Sequence, residues 1–145
     1  MNDLKESIRL LVFDARDRMK SAQSIDEAIR KWPETHRSLV MRAMEATVQG
    51  LREEKFIASV RSSDGKDVQL TFALGWPYGQ ASETKEHWLK FLPLVKESKI
   101  VSVASDEVVE RQAFDLGELD EKAIGRRIEK FIEAVFERWV AERNR

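Results

Sequence analysis

The sequence predicts an α+β fold: three N-terminal helices, then a hairpin–helix–hairpin antiparallel sheet packed by a long amphipathic C-terminal helix. Three observations carry this expectation. Apolar residues recur every three to four positions as far as Glu54, the period switches to two between Phe56 and Leu74, and a broad apolar stripe at helical spacing fills the last 25 or so residues. The 145 residues match the usual size of one domain, and we read 1–145 as a single unit.

Leu4, Ile8, Leu11, Val12, Ala15 and Met19 share one face of a first helix, from about Asp3 to Ala22. Ser24-Ile25-Asp26-Glu27 has the form of a capping box and predicts the start of a short second helix, which Pro33 ends near Trp32. The same proline suits the first turn of a third helix reaching about Glu54, with Leu39, Val40, Ala43, Met44, Thr47 and Leu51 as its buried stripe.

Phe56, Ala58 and Val60 alternate with outward residues, as do Val68, Leu70, Phe72 and Leu74, so two strands are expected. A three-residue loop, Ser63-Asp64-Gly65 with Gly65 left-handed, pairs Val60 with Val68 and Ala58 with Leu70. Ser82 can cap a fourth helix carrying Trp88, Phe91, Leu92 and Val95, kinked at Pro93. Lys99–Ala104 reads as a strand. Val108–Leu116 suits a helix or a strand, and the short gap before it favours a second hairpin.

Asp120 caps the final helix, where Ile124, Ile128, Phe131, Ile132, Val135, Phe136, Trp139 and Val140 face the core opposite Arg127, Lys130, Glu133 and Glu137. Gly125 within it suggests a close backbone crossing or a bend. The order of hairpin, helix, hairpin and terminal helix resembles, in topology and without any motif, the small secretion-chaperone type of α+β domain. That resemblance implies a protein-binding role.

Composition narrows the chemistry. Lys plus Arg (25) nearly balances Asp plus Glu (26), which disfavours a nucleic-acid partner. The absence of cysteine removes thiolate chemistry and Cys-ligated zinc, and fits a cytoplasmic address. The charged N-terminal 20 residues are neither a signal peptide nor a membrane span. The two histidines, His36 and His87, are read as exposed or capping; Glu83 and His87 at helical spacing make one ligand pair, short of a metal site. No phosphate-cradling glycine motif and no nucleophile elbow occurs, so no cofactor and no catalytic residue is assigned.

Two functional readings remain. One is a non-enzymatic protein-binding or regulatory module, as a monomer or a homodimer, recognising its partner through Trp76 and Tyr78 in the loop Leu74-Gly75-Trp76-Pro77-Tyr78-Gly79-Gln80. Two large amphipathic rings in a proline-stiffened loop give wide contact area at low entropic cost; the competing reading folds Trp76 back to cap one end of the core. The alternative is a metal-dependent, nuclease-like enzyme or accessory subunit using Asp64, Asp67 and Glu97. Trp88 and Trp139 read as core.

Overall fold

A computed structural model describes residues 2–30, 32, 36–62, 67–73, 85–94, 97 and 99–143. Two N-terminal helices, α1 (Asn2–Arg30) and α2 (Arg37–Glu53), precede five strands, and α3 (Glu121–Arg143) follows them. The strands are β1 (Ile57–Arg61), β2 (Val68–Ala73), β3 (His87–Leu94), β4 (Lys99–Ala104) and β5 (Gln112–Phe114). They form one antiparallel meander in the order β1-β2-β3-β4-β5.

The α+β class and the closing helix are as expected, but there are two N-terminal helices where three were predicted. The first and second predicted helices are one. Nothing between Ala22 and Ser24 breaks a helix, and continuing it keeps backbone hydrogen bonds that a capping box would only partly replace. Helix α2 starts at Arg37, after the His36 N-cap, rather than at Pro33. It buries Val40, Met44, Val48 and Leu51. Its C-terminus closes in a left-handed turn at Lys55 (φ 71°), whose N–H donates to Arg52 O while the Phe56 N–H donates to Leu51 O.

The fourth predicted helix is strand β3, and the hairpin–helix–hairpin order, with the secretion-chaperone resemblance built on it, does not hold. His87, Leu89 and Phe91 alternate inward with Trp88, Lys90 and Leu92, a period of two that the helical spacing of Trp88, Phe91 and Leu92 had masked. Among the described residues β2 pairs with β3 only as far as Phe91, and at Pro93 the strand has a partner, Ile100 of β4, on one side alone, where a residue without an N–H is tolerated.

The first hairpin pairs Ala58 with Phe72 and Val60 with Leu70, two residues from the predicted register. A shift of two preserves which face each side chain takes, so the inward set was right and the partners wrong. Among the described residues β1 pairs last at Arg61 with Gln69; the connection itself, with Gly65, lies outside the described residues. The Ser62 hydroxyl donates to Asp67 O at 2.7 Å and receives a hydrogen bond from Arg37 of α2. The second hairpin is real but short: β5 keeps three residues of Val108–Leu116, between 3-10 turns at Ser105–Glu107 and Leu116–Glu118.

Register places Ala58, Leu70, Phe72, Leu89, Phe91, Ile100, Ser102 and Phe114 on one face of the sheet. Helix α2 packs on β1 and β2, α3 packs on β3 and α2, and together they cover that face. Phe72 is its centre, edge-on to Phe131 at 5.6 Å and within 6.4 Å of Phe56, Phe136 and Trp139. Trp32, to which no role was given, is fully buried in this core. Trp88 lies on the opposite face, half-buried, with Lys90 Nζ 5.4 Å from its ring, so it is no part of that core.

Helix α3 is capped as expected: Asp120 Oδ1 accepts from the Ala123 N–H at 2.8 Å. Gly125 marks no close crossing, since a Cβ there would meet nothing within 4 Å.

Candidate functional site: an exposed amphipathic helix and an acid-edged groove

The predicted site, Trp76 and Tyr78, lies outside the described residues. The predicted metal-binding acids are not brought together: Asp67 sits 3.7 Å from Lys90, Glu97 pairs with Arg111 at 3.2 Å, and Asp64 lies outside the described residues. Among the described residues no group of three or more His, Asp or Glu side chains could hold a metal ion.

His87 corrects the expectation of an exposed or capping histidine, for it is 2% exposed. Strand register turns it inward between Phe72 and Trp139, and Glu83, its expected helical partner, lies outside the described residues. The Trp139 indole N–H donates to His87 Nε2 at 3.0 Å, which makes the ring neutral with its proton on Nδ1, and Nδ1 has no partner among the described residues. Burial first, then the Lys85 charge, lowers its pKa from the ordinary 6.5, against a smaller opposing pull from Asp106. Asp106 is itself lowered by its hydrogen bond to Lys85 at 2.6 Å. A buried, neutral imidazole serving as an indole acceptor is a structural part, not a proton shuttle.

The feature that the sequence marks as core or interface is the face of α1. Every described side chain from Asp3 to Met19 is exposed, including Leu4, Ile8, Leu10, Leu11, Phe13 and Met19 at 53–72% and Val12 at 43%. Helical geometry gathers Leu4, Ile8, Leu11, Val12, Ala15 and Met19 within a stripe about 100° wide. Lys5, Arg9 and Arg16 follow along one edge of that stripe, and none of the three makes an ion pair among the described residues. On the other edge Arg18 is already paired with Asp14.

The outer side of α3 carries the complementary arrangement. Ile132, Phe136 and Val140 line an open apolar groove of about 600 Å³, with Glu129, Glu133 and Glu137 along its edge. Val140, read as part of the inward stripe, is 60% exposed, because at about 100° per residue it lies about 140° round the helix from the buried Val135. The three glutamates make no ion pair among the described residues.

A third site lies on the inner face where β4 pairs with β5. Arg127, expected on the polar side of α3, is 4% exposed, because its place on the helix lies beside Ile124 and Phe131. Its Nε donates to Ser102 Oγ at 2.8 Å and its Nη2 to Ser102 O at 3.0 Å. No protein family, curated protein or solved structure matches this chain. No helix among the described residues is long and apolar enough to cross a membrane.

Proposed function

We propose that the protein is a non-enzymatic protein-binding module whose working surface is α1 and whose partner is a second copy of the chain. The α1 stripe of one copy lies along the α3 groove of the other, and the contact is repeated about a two-fold axis. One observation carries this reading: a helix with a well-formed apolar stripe is exposed from Asp3 to Met19, the stretch whose side chains are described. Each large apolar side chain moved from water into such a contact contributes about 1.5–3 kcal/mol when fully buried, and symmetry doubles the set.

Charge and length select the groove on α3 as the acceptor. Lys5, Arg9 and Arg16 border the stripe, and Glu129, Glu133 and Glu137 border the groove, so the unpaired charges of each surface are those the other lacks. Leu4 to Met19 spans about 22 Å of helix and Glu129 to Ala141 about 18 Å, at 1.5 Å per residue.

The test is mass in solution combined with charge reversal. The wild type should be a dimer. Lys5→Glu with Arg9→Glu should give a monomer, as should Glu133→Lys with Glu137→Lys, and all four changes together should restore the dimer. A wild-type monomer overturns the reading, and a monomer that sediments with anionic lipid vesicles reassigns the stripe to a membrane surface.

A further inference from the structure

Among the described residues the buried guanidinium of Arg127 has no counter-ion. Among the described residues no carboxylate lies within ion-pair distance of it, and burial alone, unopposed by any neighbouring acid, lowers its pKa. Two of its five N–H groups are satisfied by Ser102, one through the hydroxyl and one through the carbonyl. A charge this enclosed is costly unless something of opposite sign completes it.

Arg127 opens onto a cleft of about 370 Å³ between α3 and the chain leading into β5, lined by Val109, Glu110, Arg111, Gln112 and Lys130 as well. Gln112 stands opposite Ser102 in the β4–β5 register, so its amide shares the inner face with the hydroxyl that holds Arg127. Lys130, one helical turn from Arg127, makes no ion pair among the described residues, and Arg111 is paired with Glu97 at 3.2 Å. Glu110 is the one acid on the lining, and it pairs with neither free cation.

We infer that this cleft binds a small oxyanion, held by the outward N–H groups of Arg127 and by Lys130, with the Gln112 amide as a further donor. The guanidinium fork suits two oxygens of one phosphate or carboxylate, and the volume suits a small metabolite. Ser102 fixes the fork in advance, so little side-chain freedom is lost when the anion arrives. Glu110 opposes the anion and tunes affinity downward.

The experiment follows the Arg127 Nε–H signal by NMR in the full chain during titration with inorganic phosphate, and separately with succinate, at constant ionic strength. The signal should move saturably. Lys130→Ala should weaken binding by roughly tenfold, the loss of one charge-assisted contact, and Glu110→Gln should tighten it. Arg127→Met should abolish binding as read by thermal shift; because Lys130 and Glu110 are exposed, their variants keep the test decisive even if Arg127→Met does not fold. A tighter response to phosphate than to succinate assigns a phosphate ligand, and the reverse a carboxylate. No saturation by about 50 mM of either anion, well beyond millimolar affinity, or titrations unchanged by Lys130→Ala and Glu110→Gln, would overturn the inference.

Discussion

Helices α1 and α3 carry apolar stripes of the same spacing, yet one stripe is in water and the other is the centre of the molecule. On α3, Ile124, Ile128, Phe131 and Val135 are buried against the sheet, and Phe131 meets Phe72 edge-on. On α1, Leu4, Ile8, Leu11 and Met19 are all more than half exposed. Periodicity therefore reports that a helix has a face to bury, and says nothing of which surface receives it. The sheet has one inner face, and α2 with α3 already covers it; the apolar stripe of α1 is surplus to the fold.

The largest test of that contrast is truncation in each stripe. Phe131→Ala should cost about 3–5 kcal/mol, the usual range for a deleted core phenylalanine, and should lower or abolish the cooperative melt. Leu11→Ser should leave the unfolding free energy of the monomer within about 0.5 kcal/mol of wild type. Equal losses by chemical denaturation in the monomeric Lys5→Glu with Arg9→Glu background would show that α1 is packed against its own chain and would erase the distinction.

A smaller effect should appear in acid, again on the α3 side. His87 is held neutral beneath Trp139, with a folded-state pKa below 6.5, so the unfolded chain takes up the proton first as the pH falls. Its contribution is present above pH 6.5 and is lost as the pH falls from there toward the depressed folded value. Melting temperature should therefore drop between about pH 7 and pH 5, and His87→Gln should flatten that slope. A slope of the same size in the variant would assign the acid sensitivity elsewhere.

The smallest is a gain. Gly125 lies within α3 with open space where a Cβ would go, so Gly125→Ala should stabilise the protein by up to about 1 kcal/mol, measured by denaturant midpoint at constant slope. A loss would mean that the glycine serves a bend.

Much of the fold was legible because its signals are local. The β1 and β2 alternation, the Asp120 cap and the α3 stripe each lie within a few residues of chain. The failures share a different cause. His87–Leu94 satisfies both periods, and only the neighbouring strands β2 and β4 decide between them. The hairpin register depended on a connection whose length the turn residues did not fix.

Of the sites, the α1 stripe was visible in full, whereas its exposure was not, because exposure depends on what else competes for the sheet. Arg127 was the least legible. A helical arginine reads as solvated surface, and the one available signal was its position within the angular range of Ile124 and Phe131, a buried sector that periodicity had drawn too narrowly.

The claim that the surplus stripe of α1 is completed by a second copy is tested most directly by sedimentation equilibrium of the wild-type chain across a concentration series, alongside the paired charge reversals. The account predicts twice the chain mass of 16.8 kDa for the wild type and for the fourfold variant, and the single mass for Lys5→Glu with Arg9→Glu. A wild-type mass that stays at one chain over the whole series, or a dimer indifferent to all four charges, would contradict it.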